Sequence, residues 1–165
     1  MMEISHLVGK RDLLDCVDLY ISMNDPEFLP DVDADLAASR IMQRLRSGAF
    51  IRLLKEDGEV FAFIIGCDAH QDFASEPQLH QLYYASKYTT GTKAVKAVVL
   101  LHNELEVYAR SRNLSTVVSP GSHMDETNVF SRILEKQGWT RRGHIALKNL
   151  RRHREHTSLG NALRS

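Results

Sequence analysis

The stretch 78-QLHQLYYASKYTTGTKAVKAVVLLHNELEVYARSRN-113 decides the fold. Its opening, Gln78 to Ala85, is rich in apolar and aromatic side chains and reads as a strand. A short Thr/Gly turn follows, then a long helix whose apolar face carries Val95, Val98, Leu101, Leu105 and Tyr108. Strand, turn and helix in this order aim free amide hydrogens and the positive dipole end at whatever sits above the turn, which suits an anion. The turn has one glycine, Gly91, with Tyr88 before it and Lys93 after it.

Working outward, 50-FIRLLKEDGEVFAFIIG-66 places two apolar runs around Asp57-Gly58, the dipeptide of a tight hairpin. Upstream, "EISHLV" alternates as a first strand, and Leu13, Leu14, Val17, Tyr20 and Ile21 recur at helical spacing. "MNDPEFLPDVD" carries two prolines and breaks that helix. Ala34, Ala37, Ala38, Ile41 and Leu45 restore the period up to Gly48, which suits a helix C-terminus. Downstream, "STVVS" is a short strand ended by Pro120-Gly121. Asp125, Thr127 or Asn128 caps a further helix with Val129, Phe130, Ile133 and Leu134 inward, and Gly138-Trp139 closes it. "TRRGHIALKNL" reads as a last strand. The order is β-α-α-β-β-β-α-β-α-β: a single α/β domain over 1–150, its mixed, mostly antiparallel sheet flanked by helices, with a basic tail over 151–165.

Composition fits a soluble globular chain of 165 residues, 43% hydrophobic and 25% charged. No apolar run approaches the roughly 18 residues of a membrane span, and no secretory signal is expected at the N-terminus. Cys16 and Cys67 stand apart and read as buried small hydrophobes in a reducing, cytoplasmic setting. The net charge of zero is uneven. Nine acids face three bases over Met1 to Arg40, and seven bases face one acid over Arg141 to Ser165. With the basic excess in a tail rather than on the body, nucleic acid is not the expected partner. His153 and His156 lack a third ligand, so no metal is expected.

The order and spacing from Glu3 to Leu150 resemble the GNAT superfamily of N-acetyltransferases. The most specific local match is "NVFSRILEKQGW", similar to that family's N-x-x-A-x-x-L-Y-E-K-x-G-F helix and turn, shortened by one residue. The resemblance implies an acyl-CoA-dependent N-acyltransferase, with acetyl-CoA as cosubstrate, acting on an amine acceptor by direct transfer. It places the pantetheine arm along the backbone of Leu82, Tyr83, Tyr84 and Ala85. The pyrophosphate falls on a loop that in the family reads Q/R-x-x-G-x-G/A: here Tyr88, Thr89, Thr90, Gly91, Thr92 and Lys93. Tyr88 stands for the usual Gln or Arg, and Lys93 for the final small residue.

The same resemblance puts the acid that protonates the leaving thiolate, often a tyrosine, four residues before Gly138. That position is Leu134, which cannot donate a proton, and neither Tyr84 nor Tyr108 occupies it. His80, with an unperturbed pKa near 6.5, is the candidate base, ahead of Glu76 and Glu59. His102 reads as structural and His123 as a loop residue. The acidic 25-DPEFLPDVD-33 loop falls where the resembled family binds its acceptor and would attract a cationic amine, or is a solvated connector with two prolines. A second class of function stays open: a GNAT-fold protein without chemistry, binding an assembly partner through its tail. Small divergent GNAT-like proteins are encoded by bacteriophages, some among virion genes, which would place such a chain in the host cytoplasm or the virion.

Overall fold

The computed structural model describes residues 1–6, 8–24, 31–70, 75–119 and 129–140. Its elements run β1 (Met2–Ser5), α1 (Lys10–Met23), α2 (Ala34–Arg46), β2 (Phe50–Glu56), β3 (Glu59–Ala69), β4 (Gln78–Ser86), α3 (Gly91–Ser111), β5 (Val117–Val118) and α4 (Val129–Lys136). These match the first nine elements of the expected order. The expected last strand, Pro120-Gly121, the caps Asp125, Thr127 and Asn128, His123 and the tail lie outside the described residues.

The five strands form one sheet in chain order, β1 through β4 antiparallel and β5 parallel to β4. Asp57 and Gly58 take φ of 53° and 84°, so the hairpin turn has positive φ at both central residues, as the Asp-Gly pair requires. One face of the sheet buries Leu53, Phe63, Ile65 and Ala85 against Leu13, Cys16 and Val17 of α1 and Ala38 of α2. The other buries Leu54, Ile64 and Leu79 against Ala97, Leu101, Leu105 and Ala109 of α3. Val98, Phe130 and Leu134 join α4 to α3.

Helical periodicity located α3 and α4 but misplaced one residue on each. Val95 and Val129 are exposed, because the buried stripe of α3 runs through Ala94, Ala97, Val98, Leu101, His102, Leu105 and Ala109. Alanines carry much of it, so the helix lies close to the sheet.

That close approach centres on Gly66. A Cβ there would stand 2.9 Å from Leu105 Cδ1 and 3.1 Å from the His80 carbonyl oxygen. Leu105 is fully buried and cannot swing away, and the carbonyl belongs to the neighbouring strand. Overpacking of this kind costs on the order of 1–3 kcal/mol. Gly66→Ala is expected to lower unfolding free energy by that amount in urea titration.

Candidate active site

The site is set by how β4 ends. β5 pairs only with Leu79 and His80, through Val117 and Val118. Beyond that point β4 runs on to Ser86 with no strand on that side among the described residues. On its other side, Gly66 pairs with Gln81 and Ile65 with Tyr83, leaving Leu82 as an extra residue. Such a bulge raises local twist and re-aims the strand as it leaves its neighbour. Among the described residues, the β5-facing main-chain edge of Gln81 to Ala85 is therefore unpaired, while its other edge stays in the ladder with β3.

At the top of the opening the chain turns from β4 into α3. Ser86, 2% exposed, fixes the turn: its hydroxyl donates to the Tyr88 carbonyl at 2.9 Å and accepts from the Tyr88 amide at 3.2 Å. Thr90 stands at the N-cap with extended backbone and makes no side-chain cap hydrogen bond. Gly91 takes φ of 78°, and a Cβ there would meet nothing within 4 Å. Thr89, Thr90, Gly91, Thr92 and Lys93 are all exposed. The first turn of a 21-residue helix thus keeps its amide donors clear of side-chain caps, with the positive dipole end facing outward.

Lys93 does not point into this space. Its Nζ lies 2.7 and 2.8 Å from the two carboxylate oxygens of Glu56 and 3.3 Å from the Tyr88 hydroxyl, which itself donates to Glu56 at 3.0 Å. The ammonium also sits 4.8 Å from the centre of the Tyr88 ring. The hydrogen bond from Lys93, then that from Tyr88, holds the Glu56 carboxyl below its usual range, and the same contacts raise Lys93. The small residue that faces inward is Ala94, which follows Lys93. Ala94 lines a cleft of about 100 Å³ together with Tyr84, Ser86, Gly91, Phe130 and Ile133. Enclosed sites for drug-sized ligands hold roughly 300–1,000 Å³. This slot is too small to enclose a drug-sized ligand.

Of the strand residues, Tyr84 faces this cleft, and burial pushes its hydroxyl pKa up. Leu82, Tyr83 and Ala85 turn their side chains to the α1 and α2 face, and only their main chain borders the opening. His80 shares that α1/α2 face, with Nε2 3.1 Å from the Gln78 amide oxygen. Glu76 precedes β4, is exposed and accepts from Ser115 at 3.1 Å; Glu59 is exposed at the hairpin. Leu134 is buried among Val98, Phe130, Tyr84 and Trp139. Tyr108 donates to the Gly48 carbonyl at 3.3 Å, far along α3 from the cleft.

Where β4 and β5 part, a buried polar chain replaces the main-chain ladder. His102 Nδ1 lies 2.8 Å from the Val98 carbonyl and Nε2 2.9 Å from the Gln81 side-chain amide, which is 2.7 Å from Ser119 Oγ. The ring is 1% exposed inside a box of Tyr84, Phe130 and Trp139, with ring centres 5.3 to 5.5 Å away. Burial pulls its pKa from 6.5 to about 4, so the ring is neutral near pH 7. Nδ1 faces the Val98 carbonyl, and Gln81 Oε1, which accepts from Ser119 Oγ, faces Nε2. His102 was expected to be structural from its place on α3; its coupling to Gln81 could not be read from spacing.

Among the described residues no group of His, Cys, Asp and Glu is placed to hold a metal, and no helix is long and apolar enough to cross a membrane.

No family model matches the sequence, and no curated protein does. The fold does have solved counterparts. Glucosamine-6-phosphate N-acetyltransferase from Arabidopsis thaliana superposes with a TM-score of 0.69 at 15% identity, over 90% of this chain and 97% of that one. A predicted acetyltransferase of Clostridium acetobutylicum solved with acetyl-CoA gives 0.65 at 15% identity, over 93% and 99%. Ribosomal-protein-alanine N-acetyltransferase from Brucella melitensis biovar Abortus gives 0.64 at 18% identity, over 90% and 98%. The chain thus has the fold of the GNAT N-acetyltransferases.

His102 makes stability depend on pH in a defined window. Between about pH 4 and 6.5 the unfolded chain binds a proton at this residue that the folded chain does not, so stability falls as pH drops through that range. The loss approaches about 3 kcal/mol by pH 4. Urea titrations of the wild type and His102→Gln are expected to diverge in slope against pH over this window, with the variant flatter. Parallel slopes would contradict a buried neutral ring.

Proposed function

We propose that the protein is an acyl-CoA-dependent N-acyltransferase, with acetyl-CoA as cosubstrate, that passes an acyl group directly to an amine. The observation that carries this is the exposed, uncapped first turn of α3 standing at the top of the gap where β4 leaves β5. Backbone amides at Gly91 and Thr92 and the hydroxyls of Thr89 and Thr90 would hold the pyrophosphate. The main chain of Leu82 to Ala85, with Tyr84 and Ala94 as walls, would take the pantetheine arm along β4. Bound acyl-CoA supplies an activated acyl carbon. The chain's own part is to align the acceptor and, at His80 or a water, to receive the proton of its ammonium.

Leu134 favours a second reading, a GNAT-fold component without chemistry that binds an assembly partner, because the residue at the acid's place cannot donate a proton. A bacteriophage virion role belongs to that reading.

The two part on one measurement. Under the transferase reading, acetyl-CoA at 100 times its dissociation constant stabilises the folded chain by about 2.7 kcal/mol and raises the melting temperature by several degrees. Gly91→Glu is expected to abolish that shift by setting a carboxylate among the phosphates. Gly91→Ala, which costs only about 1 kcal/mol of strain at positive φ, should retain it. No shift at millimolar acetyl-CoA would leave the second reading.

Glu56 gives a sharper test of the same cradle. It neutralises Lys93 and adds negative charge beside the helix start. Glu56→Gln is expected to tighten acetyl-CoA binding about three- to tenfold by calorimetry, and the gain should vanish when Lys93→Ala is added.

A further inference from the structure

The end of the sheet opposite the cradle carries a second concavity. Arg40, Gln43 and Arg44 of α2, Ser47 to Ala49 leading into β2, Cys67 and Asp68 of β3, and Arg112 after α3 surround a groove of about 490 Å³. Three guanidinium groups meet one carboxylate there. That carboxylate is already engaged: Arg112 donates to Asp68 Oδ2 from Nε at 3.2 Å and from Nη2 at 2.7 Å. Arg112 also lies 5.5 Å from the Tyr108 ring centre, so its plane is fixed from two sides. Arg40 and Arg44 have no ion pair or side-chain hydrogen bond among the described residues.

Arg44 and Arg112 stand at the C-terminal ends of their helices, where the macrodipole favours cations. That accounts for two of the three. Arg40 is one turn further in, and an i,i+4 pair of like charges costs a few tenths of a kcal/mol in an isolated helix. The charge of Arg44 also reaches the half-buried Cys67 thiol, countering part of the upward pull of burial on it. The uncompensated charge therefore faces the groove floor.

The position of that floor links the groove to the candidate base. Cys67 is the antiparallel partner of His80. Directly opposed residues point to the same face with Cβ atoms about 5 Å apart. Phe63 and Ile65 show that face to be the one covered by α1 and α2, and Arg40 and Arg44 lie on α2. His80 is thus one residue pair from the groove floor, at the point where β4 leaves β5.

We propose that this groove binds an oxyanion, phosphate or carboxylate, carried by the acceptor, so that the acceptor class is a small anionic amine whose nitrogen lies toward His80. The assignment of an amine rests on the transferase reading above; the anion site does not. Arg40 and Arg44 supply two charge-assisted donors, Arg112 a pre-oriented third, and Gln43 and Ser47 neutral polar contacts.

The test is an amide and histidine-ring NMR titration of the full chain with inorganic phosphate and, separately, succinate, against sodium chloride at matched ionic strength. Saturable shifts are expected at Ser47, Gly48 and Cys67 and on the His80 ring, for whichever anion carries the right group. Arg40→Ala with Arg44→Ala should weaken binding at least about tenfold while the acetyl-CoA melting shift is unchanged. Gly91→Glu should leave the groove titration intact. Shifts confined to Thr90–Thr92, shifts reproduced by chloride, or binding unaffected in the double variant would overturn the site. Movement of the amides with a silent His80 ring would overturn its link to the acceptor. An absent acetyl-CoA shift with normal groove binding removes the transferase reading and leaves the anion site standing.

Discussion

The seating of α3 across the sheet sets the rest of the structure. Leu101 and Leu105 press against Leu54, Ile64 and Leu79, and the absence of a side chain at Gly66 lets Leu105 come so near. Arg52 of β2 holds Glu104 at 2.9 Å, both largely shielded, which fixes the helix's rotation as well as its height. Once the helix lies there, its first turn must project beyond Ser86 and its Gly91–Thr92 amides must face the end of β4. His102, one turn before Glu106, then reaches Gln81 at the point where β5 stops pairing. The exposed first turn of α3 and the parting of the strands both follow from how the helix packs.

How much of this was legible depends on whether a signal was local. The hairpin was, because Asp57-Gly58 adopts positive φ that few other dipeptides accept. The helices were, because burial repeats with the helical period. The phases of Val95 and Val129 were not, since an alanine-rich stripe weakens the contrast between faces. The side-chain directions in the turn before α3 were not legible for a related reason: with a single glycine as anchor, only contact with Glu56, 37 positions away, shows that Lys93 turns outward while Ala94 faces inward. The polar chain from Val98 to Ser119 and the arginine groove join three or more elements each, and no spacing rule encodes either.

The charges around the cradle are more balanced than a list of its residues implies. Lys93 looks like a phosphate ligand in sequence, yet a bidentate contact with Glu56, reinforced by the Tyr88 hydroxyl, keeps it on the hairpin side. The pair is partly exposed, so its energy is modest and salt-sensitive. What remains to attract an anion is the backbone itself, a weaker and more geometrically exacting source than a lysine.

In the proposed transferase, Leu134 would bear on rate more than on whether reaction occurs. A general acid typically contributes about 10²–10⁴-fold, while a thiol with a pKa near 8.5 departs as thiolate far more readily than an alkoxide would. A transferase lacking that acid keeps the part of catalysis that comes from alignment, where effective molarities reach about 10⁵ M or more. The apolar cluster of Val98, Phe130 and Leu134 would also keep water from one wall of the opening and so slow hydrolysis of a thioester held there. Under the proposed transferase reading such a site would trade speed for selectivity toward an acceptor positioned by its own charge, and the groove lined by Arg40 and Arg44 is a charged concavity on the His80 face of the described sheet.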